Sequence, residues 1–223
     1  MFLSATTTRP LFRPLVTGRR FLNFTTTVMA SKQRLIEAIK EDHQEMYEYH
    51  DHYKKYAGDA DAQARWAHQL RWEIARHAVG EEIVVYPLME KHLGEEGLKL
   101  TNQNREEHQH VKEMLWTLED MTPGLGEYDK IFERMMASLR AHNDDEEVKD
   151  LPLLEPRLGE DASKAAAAQF SLTKKFVPTR AHPNAPNRPP LETLAGFLTA
   201  PIDKLKDAFT KFPTEEMKEA AES

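Results

Sequence analysis

His77-Ala-Val-Gly-Glu81-Glu82-Ile-Val-Val-Tyr86-Pro87-Leu-Met-Glu90 places an imidazole and a carboxylate one helical turn apart. The chain then repeats the arrangement as His142-Asn-Asp-Asp-Glu146-Glu147-Val-Lys-Asp-Leu-Pro152-Leu-Leu-Glu155. The offset of 65 residues also carries Glu41-Asp42-His43-Gln44 onto Glu106-Glu107-His108-Gln109. Two copies of so long a unit are too few for a solenoid and read as two helix pairs. Two helix pairs build a four-helix bundle, so the expected fold is all-α.

Helical spacing supports this order. Leu35, Ile39, His43, Met46, His50 and Tyr53 share one face of a first helix, spanning about residues 31 to 56. A second helix, near residues 61 to 93, carries Trp66, Leu70, Glu73, His77, Glu81, Val84 and Leu88, with Pro87 expected to bend or tighten its last turn. The third shows Thr101, His108, Val111, Leu115 and Leu118, and the fourth Tyr128, Ile131, Met135, Leu139, His142 and Glu146. The connections are short, so consecutive helices run up-down-up-down. At about 1.5 Å of rise per residue, His43 and His108 lie roughly 20 Å before their turns, and His77 and His142 roughly 24 Å after them. All four imidazoles therefore fall near one level of the bundle.

Composition removes several classes. The absence of cysteine excludes disulfides, thiolate metal sites and catalytic thiols, leaving histidine and carboxylate as the strong metal ligands. No run of apolar residues is long enough to span a membrane. The net charge of −7 conceals an Arg-rich, acid-free N-terminus holding Arg9, Arg13, Arg19 and Arg20, and setting these four aside leaves −11 on the remainder. So acidic a body is a poor match for nucleic acid.

Residues 1–30 have the composition of a mitochondrial transit peptide, which places the protein in the matrix; the alternative is initiation at Met29 and a cytoplasmic protein. The bundle is expected over 31–160. An Ala-rich and then Pro-rich linker follows over 161–189, and an amphipathic segment over 190–213 carries Leu191, Leu194, Leu198, Ile202, Leu205, Phe209 and Phe212. Because Glu192, Asp203 and Asp207 are mixed with Lys204, Lys206 and Lys211, attraction of this segment to anionic lipid is expected to be weak. Docking on the bundle, on a second chain or on a protein partner is expected instead.

His43, His77, Glu81, His108, His142 and Glu146 lie on the faces that must form the core. There an unpaired polar group costs about 1–3 kcal/mol, and an ion more. A single H-x-x-x-E reads more readily as an ordinary helix-surface i,i+4 pair worth a few tenths of a kcal/mol. Two copies in register, each joined to a histidine on the neighbouring helix, argue for metal. The donor set suits iron, zinc, copper or manganese and is too poor in oxygen for calcium. Two equal half-sites, His43 with His77 and His108 with His142, favour two ions bridged by Glu81 and Glu146. Glu73, one turn before His77, is the candidate to hold that ring's other nitrogen. Glu147 is an alternative to Glu146, and His50 is either a residue supporting the site or a core histidine bonded to a neighbour.

The ensemble of a His on helix 1, H-x-x-x-E on helix 2, E-H on helix 3 and H-x-x-x-E on helix 4 resembles the hemerythrin-like, or HHE cation-binding, family over about residues 31–160. The resemblance implies two non-haem iron ions in a carboxylate-bridged centre, with dioxygen or another small ligand as partner. It implies oxygen binding, or sensing and handling of iron and oxygen, rather than an enzyme. The alternatives are a di-iron enzyme acting on peroxide, nitric oxide or another small molecule, and a metal-stapled interaction module. The ferritin-like pattern needs paired E-x-x-H, and the helix carrying His108 offers it once, as Glu107-x-x-His110. Two positions depart from the oxygen carriers. Lys112 stands where those place a second histidine of helix 3, and their helix 4 carboxylate falls five residues after its histidine, at Glu147. Fewer fixed ligands imply a more open and exchangeable centre.

Overall fold

The structure is a computed structural model, and it describes residues 31–222. The transit-peptide reading of residues 1–30 lies outside them. The described chain forms helices α1 (Leu35–Lys55), α2 (Ala60–Gly80), α3 (Tyr86–Leu93), α4 (Glu95–Glu119), α5 (Gly126–Asp145), α6 (Leu151–Leu158), α7 (Glu160–Thr173), α8 (Leu191–Asp207) and α9 (Glu215–Glu222). One π-helical turn, Glu81–Val85, joins α2 to α3, and another, Glu146–Asp150, joins α5 to α6. Each trio makes one long helix, so α1, α2–α3, α4 and α5–α6 are the four members of the bundle.

Local chemistry sets the ends. Glu37 accepts the Arg34 backbone N–H at 3.0 Å as α1 begins, and Asp59 caps α2 by accepting from Ala62 N–H at 3.0 Å. Gly58, at φ +94°, turns the chain between them. Gly97 lets α4 cross close to α3, because a Cβ there would fall 2.2 Å from the Met89 carbonyl oxygen.

Apolar burial divides into two clusters. One contains Met46, Trp66, Leu70, Leu118, Tyr128 and Phe132, and the other Leu35, Ile39, Tyr86, Met89, Leu151 and Phe170. His43, His77, His108 and His142 fall in sequence between members of the two clusters and form a buried polar layer separating them.

Pro87 does not tighten its turn; the turn before it is widened. Tyr86 N–H bonds to Glu81 C=O and Leu151 N–H to Glu146 C=O, both five residues back. A proline lacks an N–H and its ring crowds the carbonyl four residues earlier. With Pro87 and Pro152 following at once, the α-helical ladder yields to a single π turn, a feature frequent at functional sites. The repeat therefore extends to the irregularity itself.

The Ala-rich start of the expected linker is a helix, α7, that walls one side of the bundle. Its Ser163 hydroxyl accepts the Leu35 N–H at 2.8 Å, and the Phe170 ring meets the His77 ring edge-on with centroids 5.5 Å apart. The Pro-rich stretch then runs along the bundle: Arg105 and Gln109 donate to the carbonyls of Asn187 and Pro183, each at 3.0 Å. The amphipathic segment also lies on the bundle: Phe212, at the end of its apolar stripe, packs against His68 and Trp72 with centroids 4.6 and 5.8 Å away, but most of the described stripe faces away. Glu192, Ala200 and Asp203 of α8 are buried, whereas Leu191, Leu198, Ile202, Leu205 and Phe209 face outward. No helix among the described residues is long and apolar enough to cross a membrane.

Candidate metal centre

The four imidazoles meet in two pairs. His43 Nε2 lies 3.1 Å from His77 Nε2, and His108 Nε2 lies 3.0 Å from His142 Nε2. Each ring turns its other nitrogen to a carboxylate: His77 Nδ1 to Asp42 at 3.0 Å, His142 Nδ1 to Glu107 at 2.8 Å, His43 Nδ1 to Glu147 at 2.9 Å and His108 Nδ1 to Glu82 at 3.0 Å. The repeat orders these partners. Asp42 and Glu107, each just before a histidine, hold the ring on the next helix of their own pair. Glu82 and Glu147, each just after a central glutamate, hold a ring of the opposite pair.

An Nδ1–H given to a carboxylate fixes the tautomer and aims the Nε2 lone pair inward. Two such lone pairs at hydrogen-bond distance repel unless a proton or a cation joins them. The glutamates point the same way. Glu81 spans the pairs, with Oε1 3.1 Å from His77 Nε2 and Oε2 3.3 Å from His108 Nε2, while Glu146 Oε2 lies 3.8 Å from His43 Nε2. All four carboxylate oxygens are buried and lack a hydrogen-bond partner. Buried carboxylates are seldom left so. His43, His77 and Glu81 offer ligand atoms within 4.8 Å of one another, as do Glu81, His108 and His142, so Glu81 belongs to both groups. The donor set and the orphaned oxygens fit a transition-metal cation in each.

Without metal, protons take up the charge. Burial would lower His77, but the charge of Glu81 and the bond to Asp42 push it up to about 9, and His108 is raised against its burial by Glu81 and Glu82. Burial lowers their partners His43 and His142. Burial and the neighbouring Glu81 charge raise Glu146 well above the usual range, while His77 and His108 hold Glu81, despite burial, well below it. In each pair one ring is thus raised and its partner lowered, so a proton shared by the pair favours His77 in one and His108 in the other.

Glu73 does not hold His77. Its oxygens take Arg76 at 2.8 Å and Lys174 at 3.0 Å, and Asp42 occupies the place expected for it. Glu147 lies outside the two ligand groups and supports His43. His50 sits in the apolar core, bonded to Glu133 at 2.9 Å and edge-on to Phe132. Asp42, Glu45 and Glu73 also cluster, but Lys174 binds Asp42 and Glu73 and neutralises the group. Sequence reading missed Asp42, Glu82 and Glu107 as ring partners, although the repeat contained them. It also missed Tyr86, whose hydroxyl lies 3.2 Å from His108 Nε2, and the signal was the change from an aromatic hydroxyl at Tyr86 to Leu151 at the same place in the second copy.

Asp42→Asn is expected to cost about 10–100-fold in metal affinity through the loss of His77 orientation. Glu73→Gln, which touches no ligand ring, should cost far less. Chelator competition measures both, and equal losses would remove Asp42 from this role.

A helical bundle with an inward set of histidines and carboxylates is a cation-binding protein. The Hemerythrin HHE cation binding domain family matches residues 34–154, and the chain belongs to it. A hemerythrin-like protein of Schizosaccharomyces pombe, described as uncharacterized, is 48% identical over 180 residues, covering 81% of this chain and 88% of that one. No solved structure matches the chain.

Proposed function

We propose that the centre holds two iron ions, with His43 and His77 on one, His108 and His142 on the other, and Glu81 and Glu146 between them. The protein then binds dioxygen, or senses and handles iron and oxygen. The observation carrying this reading is Glu81, whose unpartnered oxygens approach a ring nitrogen of each pair. Such a centre supplies reversible binding of, or electron exchange with, a small diatomic or peroxidic ligand. Around it the chain fixes tautomers through Asp42, Glu82, Glu107 and Glu147, and surrounds the ligands with Phe170 and Tyr86. The Tyr86 hydroxyl, raised by burial and by the Glu81 charge, stays protonated and can donate to a bound species. Action in the mitochondrial matrix is part of the same proposal and rests on the composition of residues 1–30.

Protein purified without added metal should contain close to two iron atoms per chain, and anaerobic reduction followed by oxygen should change its visible spectrum reversibly. Zinc alone, or a single ion per chain, would refute the di-iron reading. Catalytic turnover of peroxide or nitric oxide would favour an enzyme on the same centre. Because binding must displace protons from His77 and His108, affinity should fall as pH falls and keep rising until pH exceeds about 9, where metal-free His77 loses its proton. A chelator titration flat from acid to alkaline pH would contradict the ligand assignment.

A further inference from the structure

Helix α8 reverses the usual arrangement of an amphipathic helix on a globular body. Among the described side chains, those it turns to the protein are small or acidic. Glu192 and Asp203 are 4% and 1% exposed, and Asp203 accepts from the Thr179 and Arg180 backbone N–H groups at 3.2 Å and pairs with His182 at 2.9 Å. Asp207 pairs with Arg180 at 3.4 Å, and Gly196 and Ala200 complete the contact. The face it turns outward carries Leu191, Leu198, Ile202 and Leu205, continued by Phe209 just past its end, each more than half exposed. On the neighbouring end of α7, Leu172 and Phe176 are also exposed, and an apolar groove lined by Ile83, Leu172, Phe176 and Val177 separates the two helices.

The linear sequence mixes acids and lysines along this segment, and the fold separates them. Every carboxylate of α8 is turned into the protein, so the charges left on the outward side are cationic. Lys175, Lys204 and Lys206 are exposed and have no carboxylate partner among the described residues. The Lys204 ammonium lies 5.7 Å from the Phe176 ring centroid and donates to the Lys175 carbonyl, beside the apolar residues.

We propose that this outward face of α8, with Leu172 and Phe176, docks on the surface of an anionic lipid bilayer. An apolar stripe flanked by lysine stems is the composition of an interfacial helix: the apolar side chains enter the acyl boundary and the ammonium groups meet the headgroups. The rest of the chain orients the encounter, since the acidic body is repelled by the surface that attracts the lysines. A second copy meeting this face about a two-fold axis would bring the lysines of both copies into one interface, with no carboxylate of α8 to receive them.

The test is flotation of the full-length protein with vesicles of phosphatidylcholine alone and of phosphatidylcholine mixed with phosphatidylserine. Binding is expected to the mixed vesicles, to weaken with salt and to be slight on the neutral ones. Lys204→Glu with Lys206→Glu, and separately Leu198→Asp with Ile202→Asp, should each lower it on the order of tenfold or more. These positions are exposed, so metal content and helicity should not change. Absence of binding to the mixed vesicles would overturn the proposal. So would binding that survives both pairs of substitutions, as attachment through Arg-rich residues 1–30 would. Concentration-dependent dimerisation abolished by the aspartates, without lipid binding, would assign the face to a second copy instead.

Discussion

Alanine in place of Glu81 is expected to empty both halves of the metal centre. The histidines each belong to one half: His43 and His77 converge on one point, His108 and His142 on another. Glu81 alone of the six reaches a ring nitrogen of each pair within 3.3 Å, whereas the nearest approach of Glu146 to a ring nitrogen is 3.8 Å. Removing Glu81 takes one ligand from each ion and leaves each half with two imidazoles and only the more distant Glu146, too weak a set to hold a labile divalent cation against a chelator. It also removes the negative charge that holds His77 and His108 in their protonated states, so the rings of the metal-free variant should titrate lower. His77→Ala or His142→Ala should deplete mainly its own half, and Glu146→Ala should cost less than Glu81→Ala. Elemental analysis of the four purified variants separates these outcomes. A Glu81→Ala protein with the wild-type metal content would dismantle the shared-ligand geometry.

The ordering of these effects was partly legible from the chain. The repeat placed six inward polar residues at one level because helical rise and short loops are almost independent of side-chain detail. The ring partners were harder to read, because they depend on which way a helix is rotated by a fraction of a turn. Glu73 lies one regular turn before His77 and is the partner that a straight helix suggests. Asp42 takes the role because it projects from the facing helix, and because Lys174, from a segment read as linker, draws Asp42 and Glu73 together. Glu82 carries no assigned role in the sequence pattern. The π turn opens the helix there, and both side chains are wholly buried, Glu81 near Nε2 and Glu82 at Nδ1 of the same His108 ring. Neither a long-range lysine nor a locally unwound turn leaves a periodic mark. The apolar stripe of α8 was legible as a stripe, but its direction was set by the buried acids on its other side.

Lys112 shows what such long-range contacts are worth. From its position it marks a ligand missing relative to the oxygen carriers, and Lys112→His would restore one and slow metal loss. In the fold the place is taken. The Lys112 ammonium is buried and donates to both oxygens of Glu82 at 2.7 and 2.6 Å, and Glu82 in turn accepts from His108 Nδ1 at 3.0 Å. Against its burial, the charge of Lys112 and the His108 bond hold the Glu82 carboxyl down at about 2. Glu192, beside it, is pushed by burial and by Glu82 up to about 10 and so stays neutral, leaving Lys112 as the cation opposite Glu82. Lys112→Met would strand a buried carboxylate, and removing one partner of a buried pair typically costs about 3–5 kcal/mol. The pH dependence follows from the depressed pKa. The stability that Glu82 contributes is present above its unfolded value and is lost as pH falls through about 2. In Lys112→Met burial acts unopposed by the lysine, the Glu82 pKa rises, and protonation relieves the penalty at milder acidity. The deficit against wild type should therefore be largest at neutral pH and shrink as the medium is acidified. Urea unfolding of both metal-free proteins across that range measures it. Lys112→His should lose stability in the same direction and loosen metal by freeing the Glu82–His108 contact. A Lys112→His protein that is as stable as wild type and releases metal more slowly would restore the missing-ligand interpretation.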